Sequence, residues 1–416
     1  MPSERTERPY ELIVFGATGN VGVVISEYLE KSSDAKRWAI AGRNAKKLGA
    51  LRTKIADGKE ATCDIVLADC TDRDSMKKMA SQTKVVLTAA GPYHLYGEPV
   101  IQACIDAGTN YVDITGEVGW VYQMKLKYEK QAREKGVCIS SFCGYDCIPP
   151  ELSLGLANEA LGSGDKLQSA ETLIEAKNME GTGFPRGTAL TFFGFIRDPV
   201  FFARNLIDSV AYVPRRERCA ALTSFFLWLL PCWSSVTEGF TLPNFMGLIN
   251  VFVVHASADA LGFGGVRFYD RLPLPQMPLN ALSSLVVVGM FYSFMAVFMP
   301  ILVIASLLAG DKIQEWLEAR SISGVPKAVT DFSLSGYGAS GRKVSVNLVI
   351  PGDPGVCCTA LLAVETALGF ASGEKTTAGF LTPVVGLGSV YLAKRLKRAG
   401  VQVKVTVDGK SVIDGI

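Results

Sequence analysis

From residue 10 to residue 150 the chain repeats one unit: a short apolar run, a loop, then a longer stretch with helical spacing. The apolar runs are Leu12–Phe15, Trp38–Ala41, Asp64–Ala68, Val85–Ala89, Tyr111–Asp113 and Val137–Phe142. They do not alternate apolar with polar residues, so these strands turn neither face to water, the condition of a parallel sheet covered on both sides. Helix signals fall between them. Thr71-Asp-Arg-Asp74 reads as a cap followed by acids in the first turn, and Gly108 and Gly136 read as C-terminal stops. Six strands separated by helices predict an α/β, doubly wound parallel sheet of the Rossmann type over residues 1–150.

The loop after the first run reads Gly16-Ala-Thr-Gly19-Asn-Val-Gly22. Gly16 permits the tight turn, Gly19 lets the backbone approach a pyrophosphate, and Gly22 lets the helix close on the sheet. Thr18, Asn20 and Val21 complete the turn, and the phosphates are expected on free amides at the helix N-terminus. A three-glycine match alone is weak; between a strand and a helix at the head of a six-strand series it is strong. At the end of the second strand, where an acid would bind the ribose hydroxyls of NAD, the chain reads Ala41-Gly42-Arg43-Asn44. An arginine pairs with a 2′-phosphate that an acid would repel, so the expected cofactor is NADP(H). Lys46 and Lys47 add positive charge, and Asp69 at the end of the third strand is a candidate contact to the adenine edge.

The 42 basic and 40 acidic residues nearly cancel, which argues against nucleic acid as a partner. The ten cysteines include no Cys-x-x-Cys pair and the only histidines are His94 and His255, so no zinc site is expected and the cysteines suit a reducing compartment. Residues 1–9 are charged and lack an apolar run, so no secretory leader is expected there.

Past residue 150 the pattern changes, and 151–416 is expected to form an α+β substrate or dimerisation domain with an antiparallel sheet. Leu173–Ala176 reads as a strand, Val329–Ser335 and Val344–Ile350 as a hairpin, and Val401, Val403, Val405 and Val407 as a strand with one wet face. Inside it sits an apolar block of about 219–310, expected to insert into a membrane or lipid droplet, with a large buried core or a dimer interface as the alternative. Leu272–Gly310 contains no charged residue, and Cys219–Thr237 and Gly239–Ala258 are two more uncharged stretches. Pro300 is expected to interrupt any helix there and favour a hairpin, two spans pairing Cys219–Thr237 with Leu282–Ala309 being the alternative, with Arg267 and Arg271 before the block and Lys312 and Arg320 after it as flanking charges on one side.

In Gly16–Gly22, Ala41–Arg43, Ala90-Gly-Pro-Tyr93 with Tyr96-Gly-Glu-Pro99, Tyr111–Glu117, Gly144-Tyr-Asp-Cys-Ile-Pro149, Gly187-Thr188, Thr359-Ala360 and Leu381-Thr-Pro383 the chain resembles the saccharopine dehydrogenase-like oxidoreductases. That group includes trans-acting enoyl reductases of bacterial lipid synthesis and a eukaryotic lipid-droplet type. The resemblance implies hydride transfer, with enoyl reduction favoured, on a lipid-borne or apolar substrate at a membrane or lipid-droplet surface. The nucleotide domain is expected to face the cytosol or another reducing compartment (lipid droplet, endoplasmic reticulum or mitochondrion). The arginine and lysine constellation of a charged amino-acid site is not seen, so saccharopine itself is not the expected substrate.

Three segments follow strands at the carboxyl edge of the first sheet. Ala90 and Gly91 are expected beside the nicotinamide ribose; Tyr93 or Tyr145 is the candidate proton donor, with Asp146 orienting it and Glu117 binding a hydroxyl. Each also has a plain structural reading, packed tyrosines and an Asp146 helix cap among them. His94 and His255 read better as structural residues than as acids. The alternative function is a non-catalytic, membrane-attached NADP(H)-binding scaffold or redox sensor. A homodimer is a further expectation.

Overall fold

The computed structural model describes residues 8–180, 193–230, 232–234, 236–273, 281–319, 324–374 and 377–412. Gly187-Thr188 and Arg320, singled out above, lie outside them.

The first part alternates strand and helix as the sequence predicts: β1 Tyr10–Phe15, α1 Asn20–Lys31, β2 Trp38–Gly42, α2 Ala45–Ala56, β3 Asp64–Leu67, α3 Arg73–Ser81, β4 Thr83–Thr88, α4 Tyr93–Ala107, β5 Asn110–Asp113, α5 Val118–Glu134, β6 Cys138–Ser140 and α6 Ile148–Leu161. Asp72 caps α3 by accepting from the amides of Asp74 and Ser75, and Gly108 ends α4 in the left-handed conformation. The strand order is β6-β5-β4-β1-β2-β3, every pairing parallel. Chain direction across the sheet therefore reverses between β1 and β4, and a crevice opens there at the carboxyl ends.

The rest of the chain supplies β7 Leu167–Lys177, α7 Pro199–Tyr212, α8 Arg218–Trp228, β8 Cys232–Ser234, β9 Gly239–Pro243, α9 Gly247–Ala260, β10 Arg267–Leu272, α10 Ala281–Ala319, β11 Val329–Gly338, β12 Lys343–Pro351, α11 Thr359–Ser372, β13 Gly379–Leu381, α12 Pro383–Leu387, α13 Ser389–Arg398, β14 Gln402–Val407 and β15 Lys410–Ser411. The second sheet runs β15-β14-β12-β11-β7-β10-β9-β8. It is antiparallel except for the parallel β7–β10 pair. Burial alternates strictly along β11 and β12, so one face packs inward and the other is wetter.

Late in the chain, β13 returns to the first sheet and pairs in parallel with β6 as a seventh strand. Next to it in sequence, α11 packs against α1 and beneath β4 and β5, almost wholly buried. The apolar surfaces of the two sheets and this helix fuse into one large core, with a second core on the opposite face of the first sheet.

The apolar block divides. Cys219–Thr237 holds α8 and β8, and the expectation that Gly239–Ala258 belongs to the membrane is corrected: it forms β9 and α9, and α9 is a core helix packed on α6 and α8, with Val251, Phe252, Val253 and Val254 all buried. An uncharged helix looks the same in sequence whether protein or lipid surrounds it. Only α10 is exposed along its length. It runs unbroken through Pro300, also against expectation, and its one non-helical residue is Ala309. Arg271 is not a flanking charge either: it is fully buried and donates to the carbonyls of Leu227, Trp228 and Leu230, closing the C-terminus of α8.

Candidate functional site

The crevice between β1 and β4 is built by close backbone approach. Gly16 has φ of +78°, and a Cβ there would stand 2.8 Å from the Ala90 amide nitrogen, so the two loops touch where the strand order reverses. A Cβ on Gly22 would fall 2.3 Å from the Gly16 carbonyl oxygen, so only glycine lets α1 start so close to the sheet. The Gly19 amide donates to the Gly16 carbonyl at 3.0 Å and closes the turn. Gly19 brings no capping side chain, which leaves the first-turn amides of α1 for an acceptor from outside. Thr18 and Gly19 are exposed, Asn20 and Val21 half-buried, and the buried Asn20 Nδ2 has no partner within the protein. A glycine cradle, uncapped amides and an orphaned donor fit a pyrophosphate.

One strand over, Arg43 is exposed at the end of β2, and Asn44 caps α2 by accepting from the Lys47 amide at 3.0 Å. Asp69 lies in Arg43's field. The amide and hydroxyl of Thr71 both donate to its carboxylate, at 3.0 and 2.9 Å, and with Arg43 hold it below the usual carboxylate range. Lys46 and Lys47 are exposed beside them.

On the other side of the crevice, the buried Tyr93 donates its hydroxyl to the Thr88 carbonyl at 3.0 Å and leans on Trp120. Glu117, expected to bind a hydroxyl, caps α4 instead: one oxygen accepts from the Tyr93 amide and the other from the His94 amide, both at 2.9 Å. The second oxygen also lies 2.7 Å from His94 Nδ1, which ties that histidine into the cap. His255 is fully buried on α9, 3.0 Å from Ser224 Oγ, and burial holds its pKa down at about 4.

Past β6 the chain makes a strained turn. Phe142 adopts φ of +67°, a conformation that costs a bulky residue energy and persists where the surroundings fix it. Asp113 fixes it here: its carboxyl accepts from Ser141 Oγ at 2.9 Å, the Thr115 amide at 3.0 Å and the Phe142 amide at 3.3 Å, and burial pushes its pKa up to about 6. The turn delivers Tyr145 and Asp146. The Tyr145 amide donates to Thr359 Oγ1 at 3.2 Å, which ties the turn to the start of α11. Its buried hydroxyl has no hydrogen-bond partner in the protein. Asp146 gives α6 no cap, against that structural reading of it. The residue keeps some exposed surface, yet its carboxyl sits deep enough that burial pushes its pKa up to about 7, helped by the negative charge of Asp270.

Asp270 on β10 was not foreseen from the sequence. Its fully buried carboxyl accepts from Asn244 Nδ2 at 2.9 Å, Thr172 Oγ1 at 3.0 Å and Asn250 Nδ2 at 2.7 Å. The outer oxygen of Asn250 is buried without a donor. A polar Asn250 within the apolar run of α9 was the one signal available. Ile249, next to it, rests against Gly116, so α9 roofs this edge of the first sheet with apolar side chains. Among the described residues no group of three or more His, Cys, Asp or Glu could hold a metal ion.

Residues 12–139 match the family described as the saccharopine dehydrogenase NADP binding domain. A lipid droplet localized protein of Caenorhabditis elegans is 38% identical over 188 residues, 44% of each chain. A Homo sapiens saccharopine dehydrogenase-like oxidoreductase is 38% identical over 159 residues, 36% of this chain and 37% of that one. A Mycobacterium tuberculosis protein, whose name proposes a trans-acting enoyl reductase, is 34% identical over 183 residues, 44% of this chain and 43% of that one. The chain thus aligns with less than half the length of each of these proteins. The saccharopine dehydrogenase (L-Glu forming) of Saccharomyces cerevisiae shares the fold, with a TM-score of 0.51 over 96% of this chain and 99% of that one at 13% identity. The chain therefore carries the saccharopine dehydrogenase NADP binding domain, and its cofactor is NADP(H).

Proposed function

We propose that the chain is an NADP(H)-dependent oxidoreductase that transfers hydride to or from a C=C, C=O or C=N bond of a lipid-borne or apolar substrate, enoyl reduction being the favoured case, at a membrane or lipid-droplet surface. The observation that carries this reading is the pair at the turn after β6, on the same carboxyl edge as the nucleotide crevice: a buried tyrosine hydroxyl without a partner, beside a carboxyl raised to about 7. General acids work best with a pKa near the operating pH. Bound in the crevice, the nicotinamide supplies or accepts the hydride. The chain's own residues then have three tasks. The Gly16–Gly22 turn, Arg43, Ala90 and Gly91 hold and orient the dinucleotide, with Asp69 at the adenosine end. The apolar roof of α9 excludes water. Tyr145 delivers the proton that the substrate takes up, and Asp146, protonated near neutrality, supports or replaces it. Tyr93 is the weaker candidate, because its hydroxyl is committed to Thr88.

Support for an apolar substrate is the roof itself and the stretch of α10 before Asp311, which carries no charge. The names of the nematode and mycobacterial relatives point the same way. The test is NADPH oxidation by the purified full chain with a panel of lipid enals and ketones. Turnover on at least one is expected, with Tyr145→Phe losing it by roughly 10²-fold while NADPH affinity is kept. Tight NADPH binding with no turnover on any member of the panel overturns the proposal in favour of the scaffold or sensor reading.

A further inference from the structure

Helix α10 is 39 residues long and has no charged side chain before Asp311, yet both its ends rest on the same folded body. Near the start, Val288 is fully buried and the helix packs on β9. Near the end, Ser306 and Gly310 are buried, the Arg197 guanidinium lies over Gly310, and Arg197 pairs with Asp311 at 2.7 Å. Val288 and Ser306, both before the non-helical Ala309, are about 27 Å apart at 1.5 Å per residue. The better-covered positions between them, including Phe291, Met295 and Leu302, recur at helical spacing and mark one face. The helix therefore lies along the body.

Its outer face is apolar and open: Met290, Phe294, Val297, Ile304 and Leu308 are exposed, Leu308 by 83%. In the middle the helix stands clear on every side. Ala296 to Ile301 are all exposed, and six consecutive residues turn through about 600°. A rigid partner, such as a second copy of the chain, covers one side of a rod. Only a fluid closes around it.

The chain enters and leaves this segment at one end of the second sheet. In the register, Arg271 lies opposite Leu173 of β7 and Val329 opposite Lys177 of the same strand. The two connections therefore start about 16 Å apart, two strand spacings across and four residues along. Beside β9, the hairpin strand β8 offers the half-exposed Trp233, suited to a headgroup boundary, and the exposed Lys312 follows the buried Gly310.

We propose that α10 lies in the plane of a single lipid leaflet, its outer face among the acyl chains, and does not cross the membrane. The proposal rests on the membrane-surface reading given above and names its geometry. With side chains the helix is about 10–12 Å across, and one leaflet of a hydrocarbon core about 30 Å thick is deep enough to hold it without a second. A phospholipid monolayer over neutral lipid suits it as well as a bilayer does.

The experiment uses the full chain with a fluorescent non-natural amino acid placed singly at 290, 297, 304 or 308, bound to phosphatidylcholine vesicles carrying bromine at known acyl depths. Equal, shallow quenching at all four positions is expected, as is binding to monolayer-coated triolein emulsion at least as strong as to vesicles. A depth gradient running from one surface through the bilayer centre overturns the in-plane geometry and leaves the membrane reading standing. Absence of quenching at every position, with the chain self-associating instead, overturns both. A second variant, Val297→Glu with Leu308→Glu, changes only exposed side chains. It should weaken vesicle binding at least tenfold with NADPH affinity unchanged, and unchanged vesicle binding overturns the proposal.

Discussion

On the proposed reading, two cofactors that differ by one phosphate are told apart by the side chain that ends β2. Arg43 is exposed there, free to reach a 2′-phosphate, and Asp69, whose carboxylate lies in its field, is pinned by Thr71. A charge-assisted bidentate pair is worth about 1.5–3 kcal/mol, or roughly ten- to a hundredfold in affinity. Arg43→Ala should weaken NADPH by that factor and leave NADH nearly unchanged in titration calorimetry. Equal loss for both would remove Arg43 from the phosphate site. Asp146 sets a different expectation, in stability. Its folded pKa of about 7 lies above an unfolded value of about 3.9, so the native state binds the extra proton between those limits. The stability it contributes is complete below about pH 4 and is lost as pH rises through 7. Asp113 and Glu151, pushed up to about 6 and about 7 by burial, act in the same direction. Thermal melting should fall between pH 5 and pH 8. Asp146→Asn should shrink that fall, by an amount on the order of 1 kcal/mol or more, and melt higher than the parent at pH 8. A variant that melts lower at both pH values would mean that the carboxylate is ionised and paired.

At the scale of elements, the phosphate turn separates folding from binding. A Cβ on Gly22 collides with the Gly16 carbonyl in the backbone of the turn, so Gly22→Ala should push α1 off the sheet and lower stability as well as affinity. Gly19 is exposed, and the Gly16 oxygen is 3.3 Å from where its Cβ would be. Gly19→Val should therefore fold with a near-parental melting curve and lose NADPH affinity by more than tenfold, because the side chain occupies the path of the pyrophosphate. Retained affinity in a folded Gly19→Val protein would give the turn another purpose. This turn and the six strands around it were legible in the sequence because every signal is local: a strand, three glycines, a helix. β13 was not, since three residues pair with a strand some 240 positions earlier and carry no periodicity of their own. The same distinction divides the candidate site. Tyr145 and Asp146 stand out because they follow a strand. Asp270, Thr172, Asn244 and Asn250 meet only when β10, β7 and the entry to α9 assemble, and nothing near them in the chain announces the meeting.

For the molecule as a whole, the decisive fact is that the second sheet is assembled from both sides of the apolar segment. β7 precedes it and pairs with β10 on one edge and with β11 on the other, so pieces separated by α10 in the chain are neighbours in space. None of those pairings passes through α10. Its inward face touches the body at few positions, and the large core is built from residues outside it. The segment is an excursion from a finished fold. Its two connections start about 16 Å apart, a span that a flexible Gly/Ser chain of about eight to ten residues covers at 5–6 Å × √n. Replacing residues 274–323 with such a linker should therefore leave both sheets intact. The shortened protein should stay monodisperse without detergent, bind NADPH within about twofold of the parent, and no longer float with vesicles. Gel filtration, calorimetry and flotation on one preparation check all three. Loss of NADPH binding, or aggregation in the absence of lipid, would mean that α10 helps to hold the body together and that its contacts at Val288, Ser306 and Gly310 support the fold.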